Sequence, residues 1–220
     1  MSTPNEYSYV EKPFLEQLAQ LGWTTHDLTK EQRDDPQFSY RTNFKELILE
    51  LVFKQSLHDL NPWLTDMQIE HILRDIKFSK HSNILEANEW FHNILTGTGS
   101  EKIMMDDQAT GSKNLPVRLV DFDEATNNSF IAINQFKVRE LGKTTHIVPD
   151  IMLFVNGLPI GIVECKSPTV WWEYSDKNAM EEAINQLKRY SNDRGSDVSE
   201  GNEKLFVYNQ LMIATSRQEA

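Results

Sequence analysis

The sequence lacks the features of secreted and membrane proteins. Cys165 is the single cysteine among 220 residues, so no disulfide can form within the chain. A lone cysteine favours a reducing compartment, and the polar N-terminus does not resemble a signal peptide. The most apolar stretch, 151–163, is interrupted by an asparagine, a proline and two glycines, so it is not a membrane span. We therefore expect a cytoplasmic protein without membrane contact.

Positive charge is also scarce. The chain has 22 Lys+Arg against 33 Asp+Glu, a formal net charge of -11, whereas a freestanding DNA-binding domain usually has a basic face. This balance still allows a metal-dependent nuclease, which needs clustered carboxylates and can be held near DNA by other domains. The six histidines are scattered without metal-ligand spacing. No G-x-x-x-x-G-K-[ST] motif is present, because the glycine-containing segment 96–100 lacks the lysine, so we expect no ATP hydrolysis.

Apolar spacing predicts helices in the first half of the chain. Four segments have helical periodicity: 7–21, 44–60, 65–76 and 83–95. Thr65 and Gln68 form a capping-box pattern at the start of the third. The polar segments 27–42 and 96–116 are predicted as loops. We expect a helical N-terminal part, residues 1–115, packed on a core formed by residues 116–220.

The second half changes to strand-like patterning. Five segments are predicted as strands: 117–122, 130–138, 147–155, 160–166 and 205–214. One strong helix, 178–192, lies between the last two, and such a connection favours parallel pairing of the strands it joins. The order predicts an α/β fold with a mixed sheet flanked by helices.

Three charged residues near these strands have the pattern of a metal-dependent site. Asp150 is followed, after thirteen intervening residues, by Glu164 and Lys166, with Cys165 between them. Two carboxylates can hold Mg²⁺ through oxygen ligands, and the backbone carbonyl of Cys165 is a further candidate ligand. The ion would polarise a scissile phosphate, and Lys166 would orient water or neutralise charge. The same spacing also arises by chance, but charged residues that continue a buried strand are seldom ordinary surface.

The strand periodicity poses a problem for Asp150. Glu164 and Lys166 are two residues apart and share one face of a strand. A two-residue turn at Asn156-Gly157 would pair Asp150 with Val163 and set it on the opposite face, and a turn one residue later has the same consequence. The site therefore requires an odd-length loop, a β-bulge or a kink before Asp150.

The residues around this site resemble a known family. Three segments are similar to the nuclease motif of type I restriction enzyme motor subunits, within the PD-(D/E)xK nuclease superfamily: Pro149-Asp150, FVNGLPI at 154–160 and VECK at 163–166. Gln186 and Tyr190 resemble the glutamine-x-x-x-tyrosine motif that follows it, and Asn134-Gln135-Phe136 resembles a strand that precedes it. Cys165 departs from the pattern, because an aliphatic residue is usual there.

The resemblance implies a fold and a function. It implies a restriction-endonuclease-like core with an N-terminal helical extension, which cleaves double-stranded DNA with Mg²⁺ as cofactor. Asp150, Glu164 and Lys166 would be catalytic, with the metal held by Asp150, Glu164 and Cys165. Modification and specificity subunits would be partners. The family's own motor domain, which alone uses ATP, would follow residue 220, so this chain is expected to be a fragment.

The resemblance also implies supporting residues. Glu11 is the match to an acidic residue on the first helix, although an ordinary exposed helix charge is the alternative. Gln186 and Tyr190 are i and i+4 on one helix face, where they would contact the DNA backbone or support the metal site. A half-buried tyrosine at a helix edge is the alternative for Tyr190.

Two other functions are compatible with the same residues. A non-catalytic docking module would keep the fold and serve only as a contact surface for the other subunits. A freestanding repair or recombination nuclease of the same superfamily is the third reading. The intact Asp150, Glu164 and Lys166 favour an enzyme over a docking module, and the segment 154–160 favours the restriction family over repair.

Overall fold

A computed structural model of the chain describes residues 6–78, 80–81, 83–98, 101–140, 142, 146–167, 179–192 and 201–216. A turn of π-helix, Tyr7–Glu11, leads into the first of seven helices within these residues: α1 (Lys12–Gln20), α2 (Lys30–Arg33), α3 (Glu50–Leu60), α4 (Asp66–Lys77), α5 (Ile84–Thr96), α6 (Ala179–Tyr190) and α7 (Glu203–Tyr208). Two 3₁₀ turns lie at Pro36–Ser39 and Ala125–Asn127. The strands are β1 (Thr24–His26), β2 (Met104–Met105), β3 (Leu115–Pro116), β4 (Phe130–Asn134), β5 (Val138–Arg139), β6 (His146–Ile147), β7 (Ile151–Val155), β8 (Leu158–Lys166) and β9 (Leu211–Ser216).

The helices follow the apolar spacing of the sequence, although the predicted helix 44–60 begins only at Glu50. Thr65 and Gln68 form the predicted capping box of α4, in which each side chain bonds the other residue's backbone N–H. Asn83 caps α5 by accepting from the backbone N–H of Glu86 at 2.9 Å. These side chains satisfy backbone donors that a helix start leaves without partners. The predicted first residue of α6, Asn178, lies outside the described residues.

A five-stranded sheet in the order β1-β4-β7-β8-β9 forms the centre of the described structure. The three inner strands are antiparallel, whereas β1 pairs parallel with β4, and β9 pairs parallel with β8. Helix α6 lies in the connection between β8 and β9, so the predicted parallel crossover is confirmed. The mixed sheet with helices is the α/β fold class that the sequence predicted.

The β7–β8 hairpin contains the bulge that Asp150 requires. Asn156 and Gly157 form a two-residue turn with φ values of 51° and 78°, as a hairpin with right-handed strand twist needs. Ile160 of β8 has no partner on β7, and the register shifts there by one residue. Continuing the shifted register one step beyond β7 places Asp150 opposite Glu164.

The sheet is packed on both faces. The larger hydrophobic cluster joins the sheet to helices α3, α4, α5 and α7, and a smaller one packs Leu15 of α1 against Val163 and Cys165. The hairpin turn itself rests on α3. A Cβ on Gly157 would lie 2.7 Å from the backbone oxygen of Leu49 and from the backbone nitrogen of Phe53. Only glycine fits this approach, so the turn beside the bulge is held against the helical part.

Several predicted segments differ from the structure, among them the predicted loop 96–116, which contains the short strands β2 and β3. Residues 117–122 form no strand, because the Asn61 side chain bonds both the N–H and the carbonyl of Arg118 at 2.8 Å, in place of a neighbouring strand. Residues 203–208 form α7 and bury Leu205 and Phe206, so β9 begins only at Leu211. The predicted loop 27–42 contains α2 and a 3₁₀ turn. The predicted strands 130–138 and 147–155 are each interrupted.

The N-terminal part contributes a strand as well as helices, since β1 extends the central sheet beside β4. The sequence did not predict this three-residue strand. The division of the chain at residue 115 stays a prediction. Within the described residues, every helix is too short or too polar to cross a lipid bilayer.

Candidate active site

The three residues predicted as catalytic lie together where β7 begins and β8 ends. Lys166 Nζ donates to Glu164 Oε1 at 2.5 Å, and the backbone N–H of Cys165 donates to Asp150 Oδ2 at 2.7 Å. Asp150 is 7% exposed and Glu164 is 1% exposed. Acidic side chains are rarely this buried without a compensating partner. The bulged hairpin therefore brings two buried carboxylates and an ammonium group into one site.

The N-terminal helix supplies two more carboxylates. Glu11 is 3% exposed, and single carboxylate oxygens of Glu6, Glu11 and Asp150 all lie within 4.8 Å of one another. Glu11 was assigned a supporting role by resemblance, and it is buried at the cluster rather than exposed on a helix. Glu6 was not predicted. The π turn joins residues five apart, as these two are, and no sequence pattern marks such a turn.

The surroundings of this cluster disfavour the ionised form of its carboxyl groups. Burial, reinforced by the Asp150 carboxylate, raises the pKa of Glu164 to about 8 and that of Glu11 to about 8. Burial also raises the pKa of Asp150 and of Glu6, although Lys166 opposes the shift in both. Neighbouring carboxylates in a desolvated site resist joint ionisation. The cluster thus holds more negative charge than its own residues neutralise.

Lys166 is held as an ammonium. Burial alone would lower its pKa, but the carboxylates of Glu164, Asp150 and Glu6 outweigh burial and raise that pKa. Its Nζ also donates to the Cys165 carbonyl at 3.1 Å. A lysine that keeps its proton is a poor proton acceptor, so its chemistry here is that of a fixed positive charge.

The donor set fits a hard divalent cation. Glu164 Oε2 is buried and has no hydrogen-bond partner among the residues described. The Asp150 carboxylate is an acceptor and cannot donate to it, so these two groups share a hydrogen bond only when one of them is protonated. A buried acceptor without a partner is costly, and Mg²⁺ prefers carboxylate and carbonyl oxygens. Asp150 belongs both to the ligand set predicted from sequence and to the close group with Glu6 and Glu11.

Gln186 and Tyr190 lie beside the cluster on α6. Gln186 Nε2 donates to the Tyr190 hydroxyl at 2.8 Å, and that hydroxyl donates to the backbone carbonyl of Val148 at 3.0 Å. Tyr190 is 2% exposed, and burial together with the charge of Glu164 raises its pKa. This position leaves Tyr190 little surface for DNA. It ties α6 to the segment that leads into Asp150.

The matching family model and the similar proteins all concern type I restriction enzymes. The family model described as type I restriction enzyme R protein N terminus matches residues 3–220. The type I restriction enzyme HindI endonuclease subunit of Haemophilus influenzae is 28% identical over 212 residues, covering 93% of this chain and 18% of that protein. The provisionally named MjaIXP endonuclease subunit of Methanocaldococcus jannaschii is 27% identical over 198 residues, 85% of this chain and 18% of that protein. The chain therefore spans less than a fifth of the length of these relatives.

Proposed function

The chain belongs to the family of type I restriction enzyme R protein N termini, and from this premise we propose that it is a metal-dependent nuclease domain that cleaves double-stranded DNA. The names of the similar proteins, endonuclease subunits of type I restriction enzymes, support a nuclease role within a restriction system. One observation carries the assignment to a particular site. Asp150 lies in a close group with Glu6 and Glu11 and also acts on the buried Glu164, which pairs with Lys166, so several acidic groups meet at Asp150.

Each residue has a role that follows from its surroundings. Asp150 and Glu164 would hold Mg²⁺, with the Cys165 carbonyl and Glu11 as further oxygen donors. When bound, the ion would polarise the scissile phosphate and activate water. The Cys165 N–H fixes one Asp150 oxygen at 2.7 Å and leaves the other directed to the cluster.

Lys166 supplies the positive charge at the phosphate. In the structure its ammonium contacts Glu164 and the Cys165 carbonyl, two of the three predicted metal ligands. Lys166 would have to release these oxygens when a cation is bound. Lys166 would then be available to neutralise charge that develops on the phosphate during cleavage.

The rest of the restriction complex would deliver the domain to DNA. A formal net charge of -11 opposes approach to a polyanion, and at low salt this repulsion acts over a long range. Modification and specificity subunits, together with an ATP-driven motor domain, would hold the nuclease near the duplex. Tethering then replaces intrinsic affinity, because the local DNA concentration is high.

The test compares cleavage of plasmid DNA by this chain alone and by the full-length subunit assembled with its partners and ATP. Each form is assayed beside its Lys166→Ala variant. We expect slow cleavage by the chain alone and rapid cleavage by the assembly, with both lost in the variant. Full cleavage by the variant assembly would refute the assigned site and leave the docking-module function in its place. Robust, salt-tolerant cleavage by the chain alone would refute the delivery argument.

A further inference from the structure

We propose that Gln135 is a positioning residue that holds Glu11 and Asp150 together for the metal ion, and that Arg33 fixes the direction of its amide. The inference deepens the proposed function and rests on it. Gln135 follows β4 directly, and its backbone N–H donates to the Asp150 carbonyl at 2.7 Å. The side chain of Gln135 therefore begins next to Asp150. Asp150 belongs both to the ligand set predicted from sequence and to the close group with Glu6 and Glu11.

The amide of Gln135 joins the two carboxylates from different elements. Its Nε2 lies 3.1 Å from Glu11 Oε2 and 3.4 Å from Asp150 Oδ1. A donor between two acidic groups offsets part of their mutual repulsion and sets the distance between them. The contact to Glu11 also lowers the pKa of that group, against the larger effect of burial.

Arg33 determines which end of the amide faces the cluster. Its Nη1 donates to Gln135 Oε1 at 3.1 Å. A guanidinium group has only donors, so it accepts the oxygen end of the amide as a partner and rejects the nitrogen end. The nitrogen end must then face Glu11 and Asp150. Arg33 acts through Gln135 and keeps the donor side of the amide toward the carboxylates.

The backbone conformation indicates that the side chain is needed. Gln135 has φ 49°, in the left-handed region that favours glycine and asparagine. Of the other non-glycine residues described with positive φ, three are asparagines and one is Tyr40. Glutamine has no backbone advantage at such a position, and strained residues of this kind cluster at functional sites. The amide contacts account for glutamine at 135.

Two variants separate the backbone preference at position 135 from the hydrogen bonds that the side-chain amide makes. Gln135→Asn suits the left-handed backbone but shortens the side chain by one methylene, so its amide cannot bridge both carboxylates. Gln135→Gly also suits the backbone and removes the amide. Hydrogen-bond partners of metal ligands typically contribute about 10–100-fold to metal affinity. We expect both variants to bind Mn²⁺ about 10–100-fold more weakly than the wild type.

The experiment measures Mn²⁺ affinity by calorimetry and thermal unfolding in metal-free buffer. We expect both variants to unfold at or near the wild-type temperature while they lose affinity, and Arg33→Met to lose less affinity in the same direction. Unchanged affinity in Gln135→Gly would overturn the proposal. A loss of affinity that merely follows a large drop in unfolding temperature would also overturn it, because Gln135 would then serve stability alone.

Asp150→Ala separates this inference from the function on which it rests. If Asp150→Ala loses Mn²⁺ binding and Gln135→Gly keeps it, the positioning role fails and the metal site stands. If Asp150→Ala binds Mn²⁺ as well as the wild type, the proposed metal site itself fails. Loss of Mn²⁺ binding in both variants supports both the metal site and the positioning role of Gln135.

Discussion

The Asp121 loop and the cluster around Glu164 both bury acidic side chains, but they satisfy them in opposite ways. Asp121 is 5% exposed and accepts four hydrogen bonds at 2.9–3.1 Å, from the Asn127 side chain, the backbone N–H groups of Glu124 and Asp123, and Arg118. These donors lower the pKa of Asp121 to about 2, the Asn127 amide contributing most. A carboxylate with a full set of donors is a structural element of its loop.

Glu164 has no such set of donors. Lys166 contacts one of its oxygens, the other has no hydrogen-bond partner in the described part of the chain, and the pKa rises to about 8. Glu11 shares the same raised pKa and the same neighbour, Asp150. Burial of a carboxylate alone therefore does not identify a metal-binding or catalytic site. A buried carboxyl group whose surroundings oppose its charge either stays protonated at neutral pH or takes a cation as partner, and the proposed metal site corresponds to the second case.

The largest expected effect separates metal binding from catalysis at Lys166. In Lys166→Ala we expect cleavage to fall about 10²–10³-fold, the usual cost of removing one group that stabilises the transition state. Mn²⁺ affinity should stay equal or rise, because the competing ammonium is gone from Glu164. Asp150→Ala should lose both properties. Plasmid cleavage by the assembled complex and calorimetry on each variant test this, and a parallel loss of metal affinity in Lys166→Ala would contradict the assigned roles.

Asp121→Ala should lower stability and leave metal binding and cleavage unchanged. The substitution leaves donors of the loop without an acceptor, so we expect the unfolding temperature to fall by several degrees. Metal affinity and cleavage by the folded protein should match the wild type. The measurement is thermal unfolding beside Mn²⁺ calorimetry at one pH. Weaker Mn²⁺ binding in Asp121→Ala would break the distinction between the two regions.

Glu164→Gln should stabilise the metal-free protein at pH 9. The substitution removes a buried charge that lies beside the Asp150 carboxylate, and we expect a gain of about 1 kcal/mol, or roughly 2–4 °C in unfolding temperature for a chain of this size. Added Mn²⁺ should stabilise the wild type more than the variant. A metal-free variant less stable than the wild type would indicate that the Lys166–Glu164 pair outweighs the repulsion.

The pH dependence of stability should differ in sign between the two regions. Glu11 and Glu164 bind protons more tightly when folded, since burial raises each pKa from 4.5 to about 8. Their contribution is complete below pH 4.5 and is lost as the pH rises through 8. Asp121, whose pKa falls from 3.8 to about 2, contributes above pH 3.8 and loses that contribution as the pH falls through 2.

Thermal unfolding from pH 2 to 9, with EDTA and then with Mg²⁺, tests the signs. With EDTA we expect stability to decline between pH 5 and 8.5, and Mg²⁺ should reduce that decline. The Glu11→Gln variant serves as control, because it removes one of the two titrating groups. A flat profile above pH 5 in EDTA would contradict the raised pKa values.

The sequence predicted that Asp150, Glu164 and Lys166 would lie close together, but it did not predict the backbone geometry that brings them there. Side-chain parity alone required a bulge, a kink or an odd-length loop between Asp150 and Glu164, because otherwise the two carboxylates lie on opposite faces. The bulge lies at Ile160, and the adjoining hairpin turn rests on α3 through a contact between distant parts of the chain. Local pattern cannot encode such a contact.

The residues that sequence reasoning missed depend on rare backbone conformations. Glu6 reaches the cluster through a π turn, and Gln135 through a left-handed backbone angle. No residue pattern marks the π turn, and a glutamine does not indicate the left-handed angle, which is usually adopted by glycine or asparagine. The strand β1 was not predicted either, because three residues are too few to show an alternating pattern. Pairing with β4 holds these residues in the sheet.

The most direct test of the cation site is a crystal of this chain soaked in Mn²⁺, with anomalous scattering used to locate the metal. We predict one peak beside Asp150, within coordination distance of its carboxylate and of Glu164, and no peak there in crystals of Asp150→Ala. The Asp121 loop should hold no metal in either crystal. A wild-type crystal in which Mn²⁺ binds elsewhere and leaves Asp150 and Glu164 without metal would contradict the account.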